Sequence, residues 1–288
     1  MHNHISLLTD YGTDDEFVGV MKSVIFDMAP HVHVTDITHG IAPFDVRAGA
    51  LALARSIQYV PAGVVIAVVD PGVGSERKAI AVEVAQGRGV IIGPDNGLLA
   101  SAVATAGGPD RVFALSNTEL HLEAPGTTFA GRDVFAPVAA FLCNGGLLEE
   151  VGEELDPASI MPSVIPLSTD TTHEKYGAGL KCEVIWIDRF GNCQLNVGPE
   201  DVEHLGPVLR LVVGDDVRSM SVVSHYAAIA PGALGAVIDS YGMLAICMDQ
   251  SSAAQQLRLG VTDGVEIYAG VGVEQVSTNV SLRAKSDE

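Results

Sequence analysis

The run "GVVIAVVD", residues 63–70, constrains the fold more than any other stretch of the chain. Val64 to Val69 are all apolar, mostly β-branched and without alternation, so as a strand they are buried on both faces. Such a strand belongs inside a sheet that carries helices on both sides. The segments around it fit that setting. "HISLLTD" is a short strand ending in Asp10, and "DEFVGVMKSVIFDMAP" has helical spacing with acidic residues at its start, which suits the helix dipole. "VHVTDIT" is a second strand, and "DVRAGALALARSIQYVP" a helix stopped by Pro61. "KAIAVEVAQGRGVIIGPDNGLL" reads as a hairpin turned at Gly87-Arg88-Gly89, with further helices near Asn96-Gly97 and after Gly131. Residues 1–152 are therefore expected to form an α/β domain with a layered, mostly parallel sheet.

The pattern then changes. Residues 153–177 contain several prolines and little periodicity, and read as a linker. From 178 to 288 come short strands such as "LKCEVIWIDRFGNCQLNV", "ALGAVIDSYGMLAICM" and "GVEIYAGVGVEQV", without clear helices. The Gly214-Asp215-Asp216 turn between alternating runs signals a hairpin. A second, all-β domain of barrel or sandwich type is expected, with the last residues, "RAKSDE", frayed.

A net charge of −20 and a sequence pI of about 4.6 oppose nucleic acid and anionic membrane surfaces. The same field favours a small cationic ligand, although a solvated acidic surface is the plainer account. The N-terminus has no signal-peptide pattern and no run is long enough to span a membrane. Cys143, Cys182, Cys193 and Cys247 lie scattered, without zinc or redox spacing. Reduced thiols in a cytoplasmic protein without a metal or cofactor are expected.

In parallel sheets, ligands gather beyond the carboxyl ends of the strands. Asp10 and Asp70 both stand there, and Arg77 is a short loop away from Asp70. Each Asp could simply cap its turn, but two on one sheet with a nearby Arg favour a site. Neither a dinucleotide nor a P-loop glycine pattern is present, and no Ser or Cys stands in a nucleophile motif. His39 reads as a structural hydrogen-bonding residue.

Six segments together carry a resemblance: "LLTDYGTDDEFVGVMKSVI", "DITHGIAPFDVRAGA", "VVDPGVGSERKAIAV", "GPDNGLL", "TFAGRDVFAPVAA" and "IDRFGNCQLNV". In this order, over nearly the whole chain, they resemble the S-adenosyl-L-methionine hydroxide adenosyltransferases, relatives of the fluorinases and chlorinases. The resemblance implies an α/β domain followed by a β-barrel domain, and attack of water or hydroxide on ribose C5′ of S-adenosylmethionine. The products are adenosine and methionine. It places Asp10 on the ribose hydroxyls, Asp15 near the methionine end and Phe44 over the ribose and C5′. It also puts Asp188, Phe190 and Asn192 on methionine and adenine, with Tyr226 and Ser240 in the same pocket. Phe129 and Gly131 join the substrate-binding set. A homotrimer with the site between subunits is implied.

The family handles its water with an Asp–Arg–His triad. Asp70 and Arg77 match the first two members, and the third falls on Ala130, where relatives read "TFHGRD" and this chain "TFAGRD". Either the natural protein lacks this His or the chain is a His→Ala variant, and the intact surround favours the variant; the expected outcome is a site that binds substrate and turns it over slowly. A halogenase with chloride or fluoride as nucleophile is the nearest alternative. Asp70 opposes an incoming anion there, and the compact "EVAQGRGV" hairpin leaves no room for the long fluorinase insertion. A non-catalytic S-adenosylmethionine or adenosine sensor is the other.

Overall fold

A computed structural model describes residues 2–270, in two compact units divided between Ile165 and Pro166. That division falls within the segment expected to be a linker. The fraying expected at the C-terminus, and the part of the last expected strand beyond Gly270, lie outside the described residues.

In the first unit the strands are β1 (His4–Thr9), β2 (His33–Thr38), β3 (Val64–Val68), β4 (Ala79–Val84), β5 (Gly89–Pro94), β6 (Pro109–Ala114) and β7 (Glu154–Leu155). They form one sheet in the order β2-β1-β3-β5-β4-β6-β7. The β2-β1-β3-β5 half is parallel, and β4, β6 and β7 continue it in antiparallel fashion. The sheet is thus mixed, because the β4–β5 hairpin reverses direction without a crossover helix. β3 is buried throughout, as its unbroken apolar run requires. Helices α1 (Phe17–Met28) and α4 (Ala136–Cys143) pack together, and so do α2 (Val46–Ser56) and α3 (Ala100–Thr105). One core cluster joins Met21 and Ile25 of α1 with Ile5, Leu7 and Ile66 of the sheet and Val138 and Leu142 of α4. The acidic residues expected in the first turn of α1 precede it instead, with Glu16 at its N-cap.

The second unit holds β8 (Thr169–His173), β9 (Gly177–Ile187), β10 (Cys193–Leu195), β11 (Val208–Val213), β12 (Asp216–Val222), β13 (Leu234–Ile238), β14 (Leu244–Cys247) and β15 (Gly264–Ala269). They run β10-β14-β13-β12-β11-β15-β9-β8, and a further β10–β9 pairing closes seven of them into a barrel, which removes its open edges. Two short helices, α5 (Pro199–Val202) and α6 (Ala253–Leu257), were not legible as helices in the sequence. Leu180, Val184, Leu195, Leu209, Met220, Leu244 and Ile267 fill the interior. β12 and β13 pair in parallel, so the segment between them crosses the outer wall, where Ile229 packs on Val237, Ala245 and Cys247.

Candidate active site

The parallel β1–β3 pair brings the two strand-end aspartates side by side. Its register runs from Ile5↔Val64 to Thr9↔Val68, and the Asp10 amide still donates to Val68 O at 3.2 Å. Asp10 Oδ2 accepts the Phe44 amide at 2.9 Å. Phe44 itself sits at φ 69°, a conformation unfavourable for a bulky residue, with its ring 72% exposed. The two residues that the resemblance places at the ribose are therefore tied together by a hydrogen bond. Asp15 stands exposed in the bend between β1 and α1.

Asp70 opens a tight loop after β3. The Val73 amide donates to Asp70 O at 3.2 Å, and Ser75 Oγ donates to Gly72 O at 2.6 Å. This folding returns Arg77 to Asp70. Its guanidinium binds the carboxylate at both ends, Nε donating to Oδ1 at 2.9 Å and Nη2 donating to Oδ2. The Asp70 side chain is only 5% exposed, so the paired geometry is shielded from solvent. Asn96, beyond β5, donates from Nδ2 to Val69 O at 2.9 Å and braces the strand end immediately before Asp70.

The segment containing Ala130 meets this loop. A Cβ at Gly74 would lie 3.1 Å from Thr127 Oγ1, and the Arg77 guanidinium rests 5.7 Å from the Phe135 ring centroid. Phe135 belongs to a π-helical turn, Gly131–Phe135, a local form that often marks functional positions. Ala130, just before it, is 8% exposed and packs in the core cluster alongside Tyr11, Val73 and Phe129. Phe129 meets Tyr11 and Phe17 edge-on, with centroids at 5.7 and 4.9 Å. Gly131 leaves room for the Tyr11 hydroxyl, which would be 2.8 Å from a Cβ at that position. The structure thus gathers Asp10, Phe44, Asp70, Arg77, Phe129, Ala130 and Gly131 at one end of the first unit's sheet.

Tyr11 and Asn96 are missed by sequence reasoning, although both adjoin residues that it singles out. Burial, followed by the charges of Asp10 and Asp70, pushes the Tyr11 phenol well above the usual tyrosine range, against the opposing effect of Arg77 and the Gly131 amide.

In the second unit, "DRFGN" forms the β9–β10 turn. Asp188 Oδ1 accepts the Phe190 and Asn192 amides, each at 2.9 Å, while Oδ2 accepts Asn192 Nδ2 at 2.8 Å. With the loop so fastened, Phe190 projects outward, 76% exposed. Asp188, Phe190, Asn192 and Tyr226 line one open cavity of about 620 Å³. Met248–Ser252, which were not among the expected site residues, complete its lining. The polar "DQSS" directly after an apolar strand was the available signal. Burial, then Cys247, Asp188 and Asp239, raises the Tyr226 phenol above its ordinary range. Ser240 lies outside this lining, exposed on the β13–β14 turn. That turn is built like its neighbour, with Asp239 Oδ1 accepting the Tyr241 and Met243 amides at 2.8 and 3.1 Å. Gln194 Nε2 of β10 donates to Asp239 Oδ2 and ties that turn to the strand following the first.

The profile of the SAM hydroxide adenosyltransferase N-terminal domain matches residues 5–152, and that of its C-terminal domain matches residues 182–266. The chain belongs to this family. An (R)-S-adenosyl-L-methionine hydrolase of Salinispora tropica is 39% identical over 266 residues, covering 92% of this chain and 98% of the relative. One from Thermus thermophilus is 35% identical over 91% of this chain and 98% of its own length. Fluorinases match at a greater distance, that of Nocardia brasiliensis at 26% identity over 92% of this chain and 97% of its own. A crystal structure of an uncharacterized conserved protein from Thermotoga maritima superposes with a TM-score of 0.79 at 32% identity, covering 92% and 99% of the two chains. The SAM hydroxide adenosyltransferase profiles thus bracket the region between the two units and include the residue clusters of both. Among the described residues no group of His, Cys, Asp and Glu is arranged to hold a metal, and no helix is long and apolar enough to cross a membrane.

Proposed function

We propose that the protein hydrolyses S-adenosyl-L-methionine to adenosine and L-methionine. The observation that carries this reading is the bidentate Asp70–Arg77 pair at the carboxyl end of the parallel strands, beside Asp10, in a chain similar over nine-tenths of its length to hydrolases of that substrate. In the reaction a water lone pair forms the C5′–O bond as the C5′–S bond breaks. The bonding electrons return to sulfur, which leaves as the neutral thioether of methionine. The proton shed by the attacking water passes to Asp70 and then to solvent. Arg77 is no proton acceptor, because guanidinium stays protonated in proteins, so it serves to fix the carboxylate. A sulfonium is an excellent leaving group, so the enzyme's task is in-line positioning, and neither metal nor cofactor enters the step.

The same reading assigns Asp10 and Phe44 to the ribose, Asp15 to the methionine end, and Phe129 and Gly131 to the pocket beside the reacting carbon. The cavity of the second unit, with Asp188, Phe190, Asn192 and Tyr226, takes the adenine and methionine, and Ser240, outside its lining, is assigned to the same ligand on the resemblance alone. Phe44 and Phe190 are 72% and 76% exposed, and large rings left in water suit a site that a neighbouring subunit covers. We therefore place the site between subunits of a homotrimer. The four cysteines are free and buried, in keeping with a reducing cytoplasm.

Chromatography of the products after incubation with S-adenosylmethionine tests the activity. Adenosine is expected from the chain as it stands, with a rate rising about 10²- to 10⁴-fold in Ala130→His, the usual contribution of a positioned acid–base group. 5′-Chloro-5′-deoxyadenosine formed in chloride at a rate comparable with adenosine would overturn the hydrolase assignment in favour of a halogenase. Tight binding with no product from either protein would leave a sensor.

A further inference from the structure

We propose that the Tyr11 hydroxyl is a catalytic group of this enzyme, holding the attacking water beside Asp70 where the family resemblance expects an imidazole from residue 130. The assignment rests on the hydrolase reading above.

Tyr11 stands between the β3 strand end and the segment that carries Ala130. The β1–β3 register, carried two residues past Thr9↔Val68, puts Tyr11 level with Asp70. From the other side comes the backbone of Gly131, next to Ala130, close enough that a Cβ there would lie 2.8 Å from the hydroxyl and 3.2 Å from Cε2 of the ring. The position that lacks an imidazole and the phenol are therefore neighbours, and the absence of a side chain at 131 makes room for the phenol. The residue is also fixed in place. Its amide donates to Thr9 Oγ1 at 3.1 Å, the Gly12 amide donates to His39 O at 2.9 Å, and Thr9 Oγ1 lies 2.8 Å from His39 Nδ1. The ring is held by Phe17, with centroids 5.4 Å apart, and by Phe129. A group held this firmly loses little freedom in the transition state.

The chemistry assigns it one part of the triad's work. Its raised pKa keeps the phenol protonated at neutral pH, so it cannot be the base. A neutral phenol offers one O–H donor and oxygen lone pairs, enough to hold a water by hydrogen bonding. The water's proton goes to Asp70, so the hydroxyl orients and the carboxylate accepts.

Tyr11→Phe keeps the ring packing and removes only the oxygen. Adenosine release should be measured for the parent, Tyr11→Phe, Ala130→His and the double variant, with melting temperatures for all four. The expected result is a fall in kcat of about 10-fold or more for Tyr11→Phe with KM within about 3-fold, the pattern of an interaction made chiefly in the transition state. In the Ala130→His background the same change should cost less than about 3-fold, because the imidazole then holds the water. An equal loss in both backgrounds would make Tyr11 a structural residue and overturn the assignment. So would an effect on KM alone, no loss at all, or a parent that is inactive while Ala130→His is active. No adenosine from any of the four proteins would instead remove the hydrolase reading, a result distinct from an active parent that Tyr11→Phe leaves unchanged.

Discussion

Arg77 holds Asp70 by two hydrogen bonds in a fixed fork, which an ammonium group cannot reproduce. Arg77→Lys keeps the charge but loses the second bond and the planar group over Phe135, freeing the carboxylate to turn. A misplacement of about 1 Å at a reacting group can cost about 10²-fold, so kcat should fall by that order with KM little changed. Arg77→Ala acts differently. It leaves a carboxylate with 5% exposure unpaired, which typically costs about 3–5 kcal/mol, so the melting temperature should fall as well. Steady-state kinetics and thermal melts on the two variants separate position from charge. If Arg77→Lys retains full kcat, the fork geometry is irrelevant to the reaction. At this scale the sequence displayed Asp10, Asp70 and Arg77, because strand ends and a short loop are legible in pattern. It did not display Tyr11 or Asn96, whose roles depend on contacts with Gly131 and Val69 O, far along the chain.

The β9–β10 turn that carries Asp188, Phe190 and Asn192 depends on a glycine. Gly191 has φ 82°, and a Cβ there would lie 2.0 Å from Ser252 Oγ and 2.9 Å from Ser252 Cα. The carbonyl of Gly191 also accepts the Ala254 amide at 2.9 Å, so this turn and the segment that completes the cavity lining are joined. Gly191→Ala should cost about 1–2 kcal/mol for the left-handed backbone and about 1–3 kcal/mol more for overpacking. Gly214, in the two-residue β11–β12 turn, provides the control, with φ 57° but nothing within 4 Å of its Cβ position. Gly214→Ala should cost the backbone component alone, about 1–2 kcal/mol. Trp186 is the protein's one tryptophan and lies in β9, so its fluorescence during urea unfolding of the full chain reports on the barrel. Equal shifts in the two variants would deny the contact with Ser252. The Gly214 hairpin was legible because alternation and a turn signal coincide. The β4–β5 turn was only half legible: glycines suggested 87–89, but Ala85 and Gln86 also adopt positive φ, at 56° and 60°, and Gly89 already belongs to β5. The parallel β12–β13 pairing had no sequence signature, since partner choice in a barrel is set by non-local closure.

Across the whole molecule, the change from strand–helix alternation to short strands revealed two units, because the two architectures bury apolar residues with different periods. The same burial governs the protein's response to alkali. Cys143 is 0% exposed in the first unit, and in the second Cys182 is 3% and Cys193 and Cys247 are 0% exposed. Burial is the leading cause that pushes Cys143 up to about 11 and the other three to about 12. In the unfolded chain these thiols titrate near pH 8.5. Below that pH both states hold the protons, and the thiols contribute no pH dependence. Between about pH 9 and 12 the unfolded state gives up protons that the folded state retains, so unfolding becomes more favourable as pH rises. Each such proton changes stability by about 1.4 kcal/mol per pH unit, and the three barrel thiols together by about 4 kcal/mol per unit near pH 10–11. The urea midpoint followed by Trp186 should therefore fall steeply above pH 9. Tyr268, raised to about 12 by burial and by Glu266, acts in the same direction, so the slope alone does not isolate the thiols. Cys247→Ala does, by removing about one third of the thiol share of the slope while leaving the tyrosine in place. A thiol reagent at pH 8 should label none of the four cysteines in the folded protein and all four in denaturant. Rapid labelling of the native protein, or an alkaline slope unchanged in Cys247→Ala, would mean that these thiols meet solvent in a state the folded core does not contain.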